Sequence, residues 1–167
     1  ELDRLPQRLL VIGGGYIGLE LGICFRLLGS SVTLVELTGG LLPGTDPELV
    51  RPVSRKCETR GIRILLESRV RSLSPVRDAV EVVIQTTGCT AITETFDRVL
   101  VSVGRRPNTD ALALDRAGVQ TDSRGYVTCD NQGRSSRSEI FAVGDCSGGP
   151  LLAHKARRDG IVAADVQ

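Results

Sequence analysis

The stretch Leu9-Leu-Val-Ile-Gly-Gly-Gly-Tyr-Ile-Gly18 decides the fold of this chain. Its first four residues form a continuous apolar run, which is typical of a strand covered on both faces in a parallel sheet. Glycines follow at once, and apolar residues then recur at helical spacing as far as Leu28, with Gly29 where a helix cap is expected. The stretch therefore predicts a strand, a tight turn and a helix.

Further elements follow on the C-terminal side. Ser31–Glu36 is a second β-branched run, and it closes a βαβ unit with a right-handed crossover. Thr45-Asp-Pro-Glu48 predicts a helix capped by Thr45 that runs to about Arg60. Ile62–Leu66 predicts a third parallel strand, and Arg98–Val103 predicts a fourth. Between them, three runs predict an antiparallel three-stranded meander: Val70–Leu73, Val80–Thr86 and Ala91–Phe96.

The sequence changes in character near Gly118. Beyond it we expect a short strand at Tyr126–Cys129, a strand at Ile140–Val143 and a final helix around His154–Val166, with no internal repeat. The predicted fold class is α/β, a Rossmann-like parallel sheet with helices and an antiparallel meander. The predicted domains are residues 1–117 and a partial segment of a second domain, residues 118–167.

Composition narrows the possible functions. Lys and Arg total 21 and Asp and Glu total 20, spread along the chain, so we expect neither nucleic-acid nor membrane binding. The five cysteines are odd in number and far apart, which favours a reducing compartment, the cytoplasm or the mitochondrial matrix. The sequence opens without Met and contains none, so we expect a fragment of a longer protein.

The glycine cluster carries a binding signal. Gly13-Gly-Gly-Tyr-Ile-Gly18 fits G-x-G-x-x-G and stands after a buried strand and at the start of a helix, as dinucleotide binding requires. Gly13 would allow the tight turn, Gly15 the approach of a pyrophosphate, and Gly18 the packing of helix on strand. The alternative is an ordinary glycine-rich turn.

Glu36 ends the second predicted strand, where an acidic residue accepts hydrogen bonds from adenosine ribose hydroxyls. A carboxylate there repels a 2′-phosphate, and no Lys or Arg stands at residues 37–39. The pair of features predicts NAD(H) in preference to NADP(H). The alternative is a solvated Glu at a strand end.

Five ordered motifs resemble dihydrolipoamide dehydrogenases, within the pyridine nucleotide-disulfide oxidoreductases. They are Val11–Glu20, Leu41–Asp46, Val103–Asn108, Ile140–Asp145 and Pro150–Ala156. The resemblance implies a parent flavoprotein that oxidises dihydrolipoamide with NAD⁺ and contains FAD. It also implies missing FAD and interface domains, a homodimer, and association with a 2-oxo-acid dehydrogenase complex.

The resemblance further implies roles in binding the nicotinamide cofactor. Tyr16 matches a ring that swings over the flavin, although it could be a packed helix-start aromatic. Glu20 matches a carboxylate near the flavin, and Val70 and Gly104 match positions whose backbone lines the adenine and nicotinamide ends. An exposed helical Glu and plain strand ends are the alternatives. The implied set is Gly13, Gly14, Gly15, Tyr16, Ile17, Gly18, Leu19, Glu20, Glu36, Val70 and Gly104.

The resemblance implies that residues 1–117 are the NAD(H)-binding domain and that residues 118–167 are a partial segment of the FAD-binding domain. A second implied set would bind FAD. Asp145 matches the carboxylate that binds the ribityl hydroxyls of FAD. The turn and helix start that lie beneath the isoalloxazine ring are matched by Leu151, Leu152, Ala153 and His154. A helix N-terminus there would stabilise negative charge on the reduced flavin. Arg105 and Arg106 are interpreted as a solvated pair in a loop.

Family members also use a C-x-x-x-x-C disulfide and a His–Glu pair, and neither occurs here. We therefore predict no catalytic residue, no metal site and no disulfide chemistry in this chain. Two alternatives stay open. One is an NAD-linked flavoprotein reductase or transhydrogenase of the same architecture, and the other is a stand-alone nucleotide-binding module.

Overall fold

The computed structural model describes residues 3–166, which divide into two compact units, residues 3–104 and residues 105–166. In chain order the helices and strands are β1 (Arg8–Ile12), α1 (Tyr16–Leu28), β2 (Ser31–Val35), α2 (Pro47–Thr59), β3 (Arg63–Leu65), β4 (Ser68–Val76), β5 (Ala79–Thr86), β6 (Ile92–Phe96), β7 (Arg98–Val101) and α3 (Ala153–Asp165). The predicted α/β fold is confirmed.

The first unit is built on a four-stranded parallel sheet in the order β3-β2-β1-β7. The strand β1 is buried on both faces because its side chains alternate. Leu9 and Val11 pack into a cluster with residues of α1, β2 and α2. Leu10 packs on the other face with Val82 and Phe96 of the antiparallel strands. The sheet therefore lies between helices and a second sheet.

That second sheet is the predicted antiparallel meander, in the order β4-β5-β6. The strand β4 is longer than expected, and a bulge between Val70 and Ser72 shifts its register against β5. A two-residue turn, Arg77 and Asp78, joins β4 to β5.

Two helix predictions can be compared with the structure. The helix α1 spans the predicted residues, and Gly29 caps it in the left-handed region at φ 114°. The predicted cap of α2 was wrong: Asp46, and not Thr45, is the cap residue, and its carboxylate accepts the N–H of Glu48 at 2.8 Å. Asp46 directly precedes Pro47, whose missing N–H suits the first helical position.

The strand β7 ends at Val101, two residues before the predicted end at Val103. Its neighbour β1 ends at Ile12 and turns into the glycine loop. The N–H of Ser102 still donates to the Ile12 carbonyl at 2.8 Å. Because β1 ends there, the residues after Ser102 have no strand to pair with on that side.

The second unit contains turns and isolated bridges in place of the predicted strands. Two turns of the same form repeat eight residues apart: Asp122 accepts the N–H groups of residues 124 and 126, and Asp130 those of residues 132 and 134. Each turn is closed by a single bridge, Thr121 to Val127 and Cys129 to Ser135. The predicted strand at Tyr126–Cys129 was wrong, because only single bridges form at Val127 and Cys129.

The predicted strand Ile140–Val143 was also wrong, because only a single bridge, Arg134 to Phe141, forms there. Among residues 105–166 no extended segment pairs with it beyond this bridge. Val119, Val127 and Ala142 form a small core instead.

The compact units divide between Gly104 and Arg105, earlier than the predicted domain boundary at 117/118. Residues 105–117 pack with the second unit because Leu114 contacts its core and the Thr109 hydroxyl donates to the Gly125 carbonyl at 2.7 Å. The assignment of residues 1–117 and 118–167 to NAD- and FAD-binding domains stays a prediction.

Candidate nucleotide-binding site

The glycine loop at the end of β1 is built around Ser102. Gly13 adopts φ +108°, and a Cβ there would lie 2.4 Å from the Ser102 carbonyl oxygen. A Cβ on Gly18 would lie 2.1 Å from the Gly13 carbonyl oxygen. The Ser102 hydroxyl donates to the same loop, because its oxygen lies 3.0 Å from the Ile12 carbonyl oxygen and 3.2 Å from the Gly13 carbonyl oxygen. The fold itself therefore requires glycine at positions 13 and 18.

Gly15 differs from these two glycines. Its φ of −73° suits any residue, and a Cβ there would meet nothing within 4 Å. Nothing in the described fold requires the absence of a side chain at this position. The open space instead fits close approach of a ligand to the backbone, as predicted for the pyrophosphate.

The start of α1 has no side-chain cap. Gly15 is the cap residue and provides no side-chain hydrogen bond, and no acidic residue occupies the first turn. Because the first amides of a helix lack internal partners and carry the positive end of the dipole, this end suits an anion.

Glu36 lies just beyond β2 and is buried, with 7% of its surface exposed. Its Oε2 accepts the N–H of Gly14 at 2.7 Å, and its Oε1 accepts both the N–H and the hydroxyl of Thr38 at 2.8 Å. The alternative of a solvated strand-end Glu is therefore wrong.

Burial alone raises the pKa of Glu36, but the hydrogen bonds from Thr38 and Gly14 outweigh it, so the pKa lies below its ordinary value. Hydrogen bonds to a carboxylate favour its charged form. Glu36 is thus a buried, ionised carboxylate in contact with the glycine loop.

The segment after β2 reinforces this contact, and sequence reasoning missed it. The N–H of Leu42 donates to the Gly14 carbonyl at 2.9 Å, although Leu42 adopts φ +51°. Leu41 is buried, and its side chain would lie 2.9 Å from a Cβ on Gly14. Both backbone polar groups of Gly14 are thus hydrogen-bonded, its N–H to Glu36 and its carbonyl to Leu42. The Leu41-Leu-Pro-Gly44 motif was the sequence feature that could have predicted this contact.

The other predicted residues of this set have varied positions. Tyr16 begins α1 with 40% of its surface exposed, so a fully packed core ring is excluded. Glu20 is exposed on α1, Ile17 is half-buried, and Leu19 is buried in the core. Their cofactor-binding roles stay predictions.

Val70 and Gly104 stand at separate places of the first unit. Val70 lies at the β4 bulge and packs against the second core cluster. Gly104 follows β7 at φ +121°, where a side chain would be strained. Roles for their backbone at the two ends of NAD(H) stay predictions.

In the second unit, Asp145 lies in a 3-10 turn at Gly144–Ser147. Its Oδ2 is 3.0 Å from Nη1 of Arg105. Arg105 was interpreted as part of a solvated loop pair, and its ion pair with Asp145 was not predicted. Both side chains are about half exposed, so the pair contributes little to stability.

The other predicted FAD residues lead into α3. Leu152 caps this helix without a side-chain hydrogen bond, the first turn carries no acidic residue, and His154 is exposed. Sequence reasoning missed Lys155 and Asp159. Lys155 Nζ lies 2.8 Å from Asp159 Oδ2 and 2.7 Å from the Gly148 carbonyl oxygen, and it ties α3 to the turn before it.

Comparison with known proteins gives the family. The sequence profile described as pyridine nucleotide-disulphide oxidoreductase matches residues 1–160. The chain belongs to this family. Among curated family members, dihydrolipoyl dehydrogenases are similar to it, with 39% identity for that of Geobacillus stearothermophilus and 41% for that of Staphylococcus aureus, each over 99% of this chain. The chain spans 35% of the length of each of them.

Two solved structures have a similar fold. The HOCl-induced flavoprotein disulfide reductase RclA from Escherichia coli superposes with a TM-score of 0.88 at 28% identity, over 99% of this chain and 37% of that one. LpdA from Mycobacterium tuberculosis gives 0.86 at 32% identity, over 97% and 34%. The fold predicted from the resemblance is that of the family.

Two further features bear on chemistry in this family member. All five cysteines are free thiols, and burial raises the pKa of Cys57 and Cys129. Within residues 3–166, no group of three or more His, Cys, Asp or Glu side chains could hold a metal ion, and no helix is long and apolar enough to cross a membrane.

Proposed function

We propose that this chain is the NAD(H)-binding part of a dihydrolipoamide dehydrogenase-like flavoprotein, whose full reaction converts dihydrolipoamide and NAD⁺ to lipoamide and NADH. The buried, ionised Glu36 carboxylate against the glycine loop is the observation that carries the proposal. An acidic residue in this position accepts the ribose hydroxyls of NAD(H).

Preference for NAD(H) over NADP(H) follows from charge. A 2′-phosphate brought to the ribose site would meet the negative charge of Glu36 in a partly desolvated setting, where repulsion is strong. Residues 37–42 contain no Lys or Arg to offset it. The dinucleotide without that phosphate is therefore favoured.

The described residues fit the remainder of the cofactor. Gly15 leaves room for a pyrophosphate, and the uncapped start of α1 would donate backbone N–H groups to it. Tyr16, Glu20 and Gly104 would border the nicotinamide end, and Val70 the adenine end, as the resemblance implies.

The second unit would contribute to FAD binding. Asp145 would accept ribityl hydroxyls, and Arg105 would orient its carboxylate through their 3.0 Å ion pair. The uncapped start of α3, at Leu151–His154, would stabilise negative charge. When bound, FAD supplies the ring that takes electrons from a dithiol, and NAD⁺ accepts them as hydride.

The parent protein is proposed to supply the FAD and interface domains, to form a homodimer and to serve a 2-oxo-acid dehydrogenase complex in the cytoplasm or mitochondrial matrix. The chain by itself is proposed to lack disulfide chemistry.

Calorimetric titration of the chain with NADH, NADPH and FAD tests the proposal. We expect NADH to bind and NADPH to fail, and Glu36→Ala to weaken NADH binding at least about tenfold through loss of hydrogen bonds to a charged group. Glu58→Ala, at an exposed position on α2, is the matched control and should bind as the unaltered chain does. Binding of FAD alone, or of nothing, would contradict the assignment.

A further inference from the structure

The acceptor capacity of Glu36 is limited by its present hydrogen bonds. A carboxylate oxygen has two lone-pair positions. Oε1 uses both, on the N–H and the hydroxyl of Thr38, each at 2.8 Å. Oε2 uses one, on the N–H of Gly14 at 2.7 Å. These three hydrogen bonds leave one acceptor position, on Oε2. The backbone N–H of Leu37 adds only the weakest of the interactions that lower the pKa of the carboxylate.

A ribose of NAD(H) offers two neighbouring hydroxyl donors. With one open position, Glu36 accepts one of them and leaves the other without a place on the carboxylate. The second hydroxyl binds there only if one of the present donors leaves. The two backbone N–H groups belong to the strand end and the glycine loop, so the Thr38 hydroxyl is the donor that can leave.

The Thr38 hydroxyl has a second acceptor within reach. It carries one hydrogen, and its oxygen lies 2.8 Å from Glu36 Oε1 and 2.9 Å from the Gly40 carbonyl oxygen. Rotation about the C–O bond exchanges one acceptor for the other without leaving the hydroxyl unpaired. Thr38 is exposed, so its side chain has room to move away from Glu36 once the hydrogen has turned.

We infer that Thr38 is a specificity-determining positioning residue whose hydroxyl switches from Glu36 to the Gly40 carbonyl and so opens the second acceptor position for a ribose diol. The inference rests on the proposed function. In the absence of a diol, the hydroxyl fills Oε1. When the diol binds, each carboxylate oxygen accepts one ribose hydroxyl.

This switch has a measurable consequence for ligands that lack one ribose hydroxyl. In the unaltered chain, the Thr38 hydroxyl returns to Oε1 and replaces the missing donor. In Thr38→Val, which keeps the branched shape, no replacement is available. Coupling between the protein hydroxyl and the ligand hydroxyl is therefore the signature, and a purely structural role for Thr38 would not produce it.

The experiment titrates the unaltered chain, T38V and T38S at pH 8 with NADH and with its adenosine 2′-deoxy and 3′-deoxy analogues. For the analogue whose missing hydroxyl would face Oε1, we expect the unaltered chain and T38S to lose less than about threefold in affinity, and T38V about tenfold. The folded state of each variant is checked by its thermal unfolding.

Equal losses in T38V and the unaltered chain overturn the inference, as does a T38S that behaves like T38V. If NADH still binds and still depends on Glu36, the proposed function survives that result. If the unaltered chain does not bind NADH, both are overturned.

Discussion

The carboxylate of Glu36 and the backbone N–H of Gly14 meet at 2.7 Å, which joins the end of β2 to the glycine loop that follows β1. The two residues are 22 positions apart in sequence. Because the strands are parallel neighbours, both loops emerge at the same edge of the sheet. The residue predicted to select the ribose thus also shapes the loop predicted to bind the pyrophosphate.

This contact predicts a pH-dependent stability. The lowered pKa of Glu36 means that its stabilising contribution is present above its ordinary pKa and is lost as pH falls through the folded-state value. We expect Glu36→Gln to lower the free energy of unfolding by about 1–3 kcal/mol at pH 7, since one buried acceptor becomes a donor. The difference should shrink below about pH 4.

Urea unfolding of both proteins at several pH values measures this difference. Glu58→Gln, at an exposed position on α2, serves as the control and should leave stability almost unchanged. A Glu36→Gln effect that keeps its full size well below about pH 4 would contradict the expected role of the ionised carboxylate.

Two glycines of the same loop should respond differently to alanine. Gly18→Ala places a methyl group 2.1 Å from the Gly13 carbonyl oxygen, so we expect the loop to shift at a cost of about 2–3 kcal/mol. Gly15→Ala meets no atom within 4 Å, so stability should change by less than about 1 kcal/mol while NADH affinity falls at least about tenfold. Thermal unfolding and calorimetry separate the two effects.

If Gly15→Ala binds NADH as well as the unaltered chain, the pyrophosphate does not approach the backbone at that residue. If instead it unfolds as readily as Gly18→Ala, Gly15 has a structural role that its surroundings do not indicate.

The turn between β4 and β5 offers a stabilising substitution. Arg77 is exposed and adopts φ +52°, a region that costs a non-glycine residue about 1 kcal/mol and that Asn tolerates. We expect Arg77→Asn to raise the free energy of unfolding by about 0.5–1 kcal/mol. Arg69→Asn, at an exposed and regularly paired position of β4 outside the positive-φ region, is the control and should not stabilise the chain.

The Lys155–Asp159 ion pair, which links α3 to the preceding turn, predicts a second pH dependence of stability. The hydrogen bond from Lys155 lowers the pKa of Asp159, so its contribution is present above the ordinary pKa and is lost as pH falls through the folded value. Because the pair is partly exposed, we expect Asp159→Asn to destabilise the second unit by only about 1 kcal/mol at pH 7.

Hydrogen exchange of the α3 amides reports this change within the second unit. The exposed Asp165→Asn is the matched control on the same helix. Equal protection of α3 in the Asp159→Asn variant and the unaltered chain would show that the Lys155 pair does not hold the helix.

Prediction from sequence succeeded best in the first unit. The bounds of α1, the strand before it and the existence of the antiparallel meander follow from periodicity and glycine positions over a few residues, whereas the length of β4 was not predicted. It failed where side chains choose the local structure. Asp122 and Asp130 each accept two backbone N–H groups, and the segment between their turns, Val127–Cys129, forms single bridges instead of the expected strand.

The sequence by itself determined the strand–turn–helix, the glycine fingerprint and the acidic residue after β2, because backbone preferences and apolar periodicity are properties of short segments. Only the tertiary structure decided the hydrogen-bond partners: Glu36 with Gly14 and Thr38, and Asp145 with Arg105. A carboxylate accepts any donor within reach, and which donors are within reach depends on which strand ends and turns the fold brings side by side.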